Sequence, residues 1–283
     1  MLPKIVLFNL KFDTWDTCFL ISVVTVLWLV LFFREKDFVL SKAQTFWAAA
    51  LFIFFGAFGA NALNIFSNLA KHHGQSIEQV FRTSGTAYLG APMLGFLALW
   101  VFCMASGVSF LICADYAVPF LMLERIIGRI GCLGHGCCYG VASSLPWAYP
   151  FAGTMYRHPT QAYELIYAAA IFLSSRYLYK RLFEKAHGVT FFYVIFTYSF
   201  FRFFNESLRA EGPFAWGAVK FSHIGLFIFM VISSVSMFIV IKNSSIKQEM
   251  LNSLKGALAR LFTWLMFVGF IVLFIFSIIP KHA

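Results

Sequence analysis

The sequence predicts an all-α polytopic membrane protein: a bundle of seven to eight transmembrane helices forming one integral domain over residues 1–283. Three observations carry that prediction. Hydrophobic residues make up 60% of the chain and the mean hydropathy is +0.79. Charged residues make up 12%, about half of the roughly 25% usual in soluble domains. Apolar runs long enough to cross a hydrocarbon core about 30 Å thick recur from end to end, and phenylalanine alone occurs 37 times. The formal net charge of +10 is therefore left to loops and helix ends. With no soluble domain to carry it, nucleic-acid binding is a poor explanation, and contact with anionic membrane lipids is the better one.

Taken in order, the first span is expected at about 16–33, after a mixed start of about fifteen residues. It leads directly into Arg34 and Lys36, which marks a retained span rather than a cleaved leader. The second, about 44–70, carries Gly56, Ala57, Gly59 and Ala60, small residues that let helices approach closely in lipid. Asn61, Asn64 and Asn68 share one of its faces and suit interhelical hydrogen bonds or ligand contact. A polar connection follows, in which His72 and His73 are expected as solvated loop residues. Spans three and four, about 87–104 and 108–127, meet at a tight turn over 105–107. Asp115 lies inside the fourth and requires a partner; Pro119, one turn later, leaves a backbone carbonyl free.

Spans five to eight are expected at about 159–178, 189–209, 222–241 and 261–279. Basic clusters follow spans one (Arg34, Lys36, Lys42), five (Arg176, Lys180, Arg181, Lys185) and seven (Lys242, Lys247, Lys255, Arg260). An outside N-terminus puts all three clusters in the cytoplasm, and with eight spans both termini lie outside. The six cysteines do not form the pattern of a secreted disulfide scaffold.

Residues 124–164 stand apart from this hydrocarbon background with three arginines, two histidines, three cysteines and several glycines. Arg125 and Arg129 share a face at i and i+4 as span four ends. Gly128, Gly131, Gly134, Gly136 and Gly140 argue against a comfortable helix and for close backbone approach to a ligand. Arg157 and His158 precede Pro159, which suits the first turn of span five, and Gln161 and Glu164 share a face just inside it. At the end of span six, Arg202, Glu206 and Arg209 stand at i, i+4 and i+7 on one face. That trio is either a structural interfacial ion pair or a phosphate site, in which Glu206 holds one guanidinium and leaves another for an anion. Two arginine-bearing helix ends beside a glycine-rich loop point to an anion site.

These residues resemble a known family. Gly128–Arg129–Ile130–Gly131, the Gly136 to Gly140 segment, Pro146–Trp147 and the ArgHisProThrGlnAlaTyrGlu run at 157–164 are similar to the motif blocks of prolipoprotein diacylglyceryl transferases. Arg202, Glu206 and Arg209 match the family's late Arg-Glu-Arg spacing, and Asp115 with Pro119 matches the preceding helix. The resemblance covers about 44–241 and leaves the last span outside. It implies a transferase at the outer face of a bacterial inner membrane, acting in lipoprotein biosynthesis. Such an enzyme moves the diacylglyceryl group of phosphatidylglycerol to the lipobox cysteine in a prolipoprotein signal peptide and releases glycerol 1-phosphate. Arg129 and Arg202 would clamp the donor phosphate, Glu206 would orient Arg202, and Arg209 would complete the pocket. Arg125, Cys132, Gly140, Arg157, His158, Gln161 and Glu164 would line the substrate.

The sequence also departs from that pattern. Leu89 stands where the family carries a histidine, Asn61 where it carries an arginine, Cys132 and His135 at asparagine positions, and Cys137 at a glutamate position. Cys132, His135, Cys137 and Cys138 lie within seven residues. A thiol beside an imidazole and two arginines has a depressed pKa, so Cys137 is a candidate nucleophile and His135 a candidate base. The cysteines equally suit plain packing of a glycine-rich loop. Adjacent Cys137 and Cys138 are poor ligand spacing, so no metal and no cofactor are expected. Two other functions stay open: a paralogue that uses phosphatidylglycerol with another acceptor or hydrolyses its headgroup, and a lipid-binding membrane protein without turnover.

Overall fold

Every apolar run inside the described residues becomes a helix. The structure, a computed structural model, describes residues 4–7, 10–34, 38–71, 90–151, 155–182, 186–210, 214–216 and 219–244. The expected eighth span and positions Leu89, His72 and His73 lie outside them. Seven helices occur among the described residues: α1 (Thr14–Phe32), α2 (Lys42–Lys71), α3 (Gly90–Ala105), α4 (Phe110–His135), α5 (Thr160–Leu182), α6 (Val189–Leu208) and α7 (Phe221–Asn243). Three short antiparallel hairpins accompany them: β1 (Lys4–Leu7) with β2 (Leu10–Asp13), β3 (Tyr149–Pro150) with β4 (Tyr156–Arg157), and β5 (Phe214–Trp216) with β6 (Val219–Lys220). The mixed start of the chain is thus a hairpin feeding α1. Lys42–Ala62 within α2 and the whole of α7 are long and apolar enough to cross a membrane by length and composition.

The packing follows the side-chain sizes. α4 lies between α1 and α5, α2 packs along α3, and α6 packs along α7. Close approach of α2 and α3 rests on glycine: a Cβ on Gly59 would overlap the carbonyl of Gly90, and one on Gly95 would come within 2.9 Å of the Phe52 ring. Aromatic groups fill the rest of the interior. Phe191 meets Phe96 edge-on at 5.0 Å, and Tyr116 sits between Phe120 and Tyr179. The outer faces stay apolar, with Leu20, Val24, Trp28, Phe54, Phe58 and Phe238 between 58% and 68% exposed. So much outward-facing hydrocarbon suits lipid contact, not water. Asn61 turns back on its own helix, donating to the Ala57 carbonyl at 2.8 Å, and makes that bond rather than one to a neighbouring helix.

Two regions differ from the sequence expectation. The glycines at 128, 131 and 134 do not break the chain; α4 continues through them to His135. Each costs about 1 kcal/mol relative to alanine in a helix interior. Packing offsets this, because a Cβ on Gly134 would come 2.8 Å from Thr14 Cγ2 at the start of α1. Gly136 ends the helix in the left-handed conformation, φ +81°, with its N–H on the Cys132 carbonyl at 2.9 Å. The second difference is the partner of Asp115. Its carboxylate accepts backbone groups: the N–H of Gly188 and, at 2.7 Å, that of Phe191. Gly188 is the residue before α6 and has no side chain to cap it, so Asp115 reaches across from α4 to satisfy the donors left open there.

The helices alternate in direction and sort the charges. Thr14 meets Gly134 at one end of the bundle, while Phe33, just past the other end of α1, lies 5.5 Å from the Arg176 guanidinium. Arg34, Lys180 and Arg181 gather at this second end. Lys242 joins them, since Val240 and Ile241 pack with Leu182 and Val189. The ends of α4 and α6 and the start of α5 meet at the first end.

Removing the carboxylate of Asp115 tests the cap. Asp115→Ala is expected to lower stability by about 1–3 kcal/mol, the cost of leaving buried donors unpaired. Asp115→Asn keeps one acceptor oxygen and loses less. Thermal unfolding in detergent, followed by far-ultraviolet circular dichroism, measures both.

Candidate anion site at the ends of three helices

Glu164, fully buried one turn inside α5, is the centre of the site. Its Oε2 meets Arg129 Nη2 at 2.8 Å and Arg202 Nη1; its Oε1 meets Arg125 Nε at 3.4 Å and accepts the Tyr198 hydroxyl at 2.9 Å. The line continues from Arg202 Nη2 to Glu206 Oε2 at 2.8 Å, and from Glu206 to Arg209 Nε at 3.7 Å. The sequence expectation made Glu206 the holder of Arg202. Glu164 shares that task and gathers two arginines from α4 as well. Arg125 and Arg129 lie on one face of α4, so both reach inward to the same carboxylate. Glu124 adds a third carboxyl within electrostatic range of Arg125 and Arg129. Four guanidiniums therefore face three carboxyls, and the cluster stays positive even with all three ionised. Arg129 Nε is buried with no hydrogen-bond acceptor among the described residues.

The loops beyond the helix ends are woven together by backbone bonds. Residues 139–143 pair on one side with 156–158 and on the other with 208–210. Gly140 N–H donates to His158 O at 2.9 Å, His158 N–H to Val141 O at 3.0 Å, and Val141 N–H to Leu208 O at 2.8 Å. Gly140 is needed because a Cβ there would stand 2.6 Å from both His158 Cβ and the Leu208 carbonyl. The close approach that its position implies is thus to the chain's own backbone. Arg157 lies over the Tyr139 ring at 4.9 Å and donates to the Gly140 carbonyl at 3.4 Å. His158 is buried, 3.2 Å from the Tyr163 hydroxyl, and burial pushes its imidazole pKa down. Gln161 is buried as well and donates to the Cys137 carbonyl; Thr160 donates to the Cys138 carbonyl at 2.7 Å. Arg157 and Gln161, read from the sequence with His158 as substrate contacts, also donate to carbonyls of the loop beyond α4.

The reactive-looking residues are ordered differently from the sequence expectation. His135 is exposed at the last residue of α4 and is not among the grouped sulfurs. Those of Cys132, Cys137 and Cys138 all lie within 4.8 Å of one another. Hydrogen bonding from Cys132 and Cys137, with Arg209 and Arg129 nearby, pulls the Cys138 thiol down from its ordinary pKa. The bonds that Cys137 makes with Cys132 and Cys138, together with burial, push the Cys137 thiol up. Cys138 is also left-handed, φ +61°, a conformation that costs a side-chain-bearing residue energy and recurs at functional sites.

An apolar cleft of about 400 Å³ opens between α1, α2, α3 and α4. Residues such as Val23, Val26, Phe52 and Phe120 line its length, and Glu124, Arg125, Gly128 and Cys132 close one end. Asn61 lines it too. Hydrocarbon walls ending on a cationic cluster are what an amphiphile with an anionic headgroup requires.

Sequence reasoning missed three participants. Tyr198 precedes Arg202 by one turn and so belonged to the face already identified by Arg202 and Glu206. Glu124 neighbours Arg125 and lay in view. Lys220 carried no signal: buried before α7, its Nζ donates to the carbonyls of Glu206 at 3.1 Å and Arg209 at 2.7 Å, satisfying the end of α6.

Comparison with known proteins follows the same geometry. The family model described as prolipoprotein diacylglyceryl transferase matches residues 4–240, reaching further toward the N-terminus than the 44–241 core read from the motifs. A phosphatidylglycerol–prolipoprotein diacylglyceryl transferase of Dehalococcoides mccartyi is 30% identical over 159 residues, covering 54% of this chain and 60% of the relative. That of Finegoldia magna is 32% identical over 181 residues, covering 64% and 70%. That of Cutibacterium acnes is 33% identical over 138 residues, covering 45% and 46%. The first of these alignments thus spans about three-fifths of the relative's length.

Two substitutions separate the roles within the cluster. Glu164→Gln leaves buried guanidiniums without their shared counter-charge and is expected to cost about 3–5 kcal/mol of stability, more than Glu206→Gln. Denaturant unfolding in detergent compares them. Gly140→Ala forces the woven loops apart at a cost of about 1–3 kcal/mol. Gly128→Ala, whose Cβ would meet nothing nearer than Glu124 Oε1 at 3.5 Å, is expected to be neutral or stabilising.

Proposed function

The chain belongs to the prolipoprotein diacylglyceryl transferase family, and from that premise we propose that it transfers the diacylglyceryl group of phosphatidylglycerol to the cysteine thiol of a prolipoprotein lipobox. The observation that carries this function is the arginine cluster around Glu164 closing one end of an apolar cleft. The acyl chains take the cleft and the phosphodiester takes the cluster. Arg129, with its buried Nε, and Arg202, which shares Glu164 Oε2 with it, would clamp the phosphate. The acceptor thiolate forms a C–S bond to the glycerol carbon while the bond from that carbon to the phosphate oxygen breaks. The electron pair leaves on the phosphate, where the guanidiniums stabilise it, and glycerol 1-phosphate departs. The acceptor's proton goes to a base, a role for which exposed His135 is the candidate.

The seven described helices are read as membrane spans. Arg34, Lys180, Arg181 and Lys242 at the end opposite the site favour a cytoplasmic position for that end. The site then faces the outer side of a bacterial inner membrane, where exported prolipoproteins arrive.

Purified protein with labelled phosphatidylglycerol and a lipobox peptide tests the transfer. Label is expected on the peptide thiol, and Arg202→Ala is expected to lower the rate at least about 100-fold, as loss of a preorganised charge-stabilising group does. The variant stays folded because Arg125 and Arg129 still neutralise Glu164. Glycerol phosphate release without peptide labelling would assign hydrolysis or another acceptor. Lipid binding without any product would leave a lipid-binding protein.

A further inference from the structure

We propose that Cys132, Cys137 and Cys138 form a binding site for a thiophilic d10 metal cation of the Zn2+ class. The three sulfurs lie within 4.8 Å of one another. Thiolates about 2.3 Å from a shared ion stand about 4 Å apart, so the cluster closes on a cation with movements under about 1 Å. Adjacent cysteines are ordinarily poor ligands because neighbouring side chains in an extended chain point to opposite sides. The left-handed backbone of Cys138 breaks that alternation and turns its sulfur to the same side as that of Cys137.

The surroundings hold the ligands as a metal site requires. Cys132, in the last turn of α4, is buried; its carbonyl accepts the N–H groups of Gly136 at 2.9 Å and Cys137 at 3.2 Å, which fixes the turn between the ligands. Gln161 and Thr160 hold the carbonyls of Cys137 and Cys138 from the first turn of α5. Arg129 Nη1 stands 3.6 Å from Cys132 Sγ. A dication held by three thiolates carries one net negative charge, and this guanidinium offsets it while donating to a ligand sulfur, as outer-shell groups do. Half-buried Cys137 and Cys138 leave a path to the ion. Three protein ligands leave a fourth position for water or an incoming thiol. Binding releases the three thiol protons. Nothing in this site depends on lipid transfer.

Cadmium, which absorbs in the ultraviolet when bound by thiolate, is the probe. The full chain in detergent, reduced and kept under exclusion of oxygen, is titrated with Cd2+. One Cd2+ per chain is expected, with a charge-transfer band that Zn2+ reverses by competition. Alkylation mapped by mass spectrometry is expected to miss Cys132, Cys137 and Cys138 in the loaded protein while still reaching half-buried Cys18. Cys132→Ser, Cys137→Ser and Cys138→Ser should each abolish the band. The alkylation map on the unaltered protein decides the matter even if a variant fails to fold. Full alkylation of the three thiols in the presence of Cd2+ overturns the proposal. So does a disulfide between two of them that re-forms after reduction and leaves the chain without Cd2+ uptake.

Discussion

The buried carboxylate of Glu164 is the constraint on which the rest of the structure depends. Arginine near hydrocarbon is costly, and this chain places four at the meeting point of three helix ends. One fully buried carboxylate makes three of them tolerable, and it also sets where those three helices must stand. α4 supplies two guanidiniums from one face, α6 supplies the third with Tyr198, and α5 delivers Glu164 from its second turn. Thr160 and Gln161 extend that control to the loop beyond α4. The same first turns that carry the carboxylate therefore pin the backbone that closes the site.

An arginine cluster and an apolar cleft are separately common; here they meet end to end. The cleft runs between α1, α2, α3 and α4, and Arg125 belongs both to its end and to the Glu164 cluster. A lipid with a phosphodiester headgroup meets hydrocarbon and positive charge in the order in which it presents them. The basic residues Arg34, Lys180, Arg181 and Lys242 gather at the far end of the bundle, away from the Glu164 cluster. Asp115 and Lys220 maintain this arrangement from outside the site, capping the start and the end of α6, the helix that carries Arg202.

Much of the fold was legible in the sequence, because in lipid the run of apolar residues is the structure. Spans at 16–33, 108–127 and 189–209 anticipate α1, α4 and α6 to within a few residues, except that α4 continues to His135. Glycine spacing misled there: propensity argues for a break at 128–134, but packing of Gly134 on Thr14 keeps the helix intact. In the site, helix periodicity identified Arg125 with Arg129 and Arg202 with Glu206. It could not identify Glu164 as their shared partner, since that depends on how three helices converge. The loop contacts of Arg157 and Gln161 were hidden for a similar reason: they donate to backbone carbonyls of a loop whose path no local pattern encodes. Cys138 carried no signal of its own, because its importance rests on a backbone angle.

The central claim is that the Glu164-held arginines recognise an anionic lipid, and lipid retention measures it most directly. Native mass spectrometry of the purified full chain, offered phosphatidylglycerol and phosphatidylethanolamine in equal amounts, reports the preference without requiring turnover. A marked preference for phosphatidylglycerol is predicted, lost when Arg129 and Arg202 are both changed to Ala while binding of the zwitterionic lipid is unchanged. Equal retention of the two lipids, or a preference that survives the double substitution, would contradict the account.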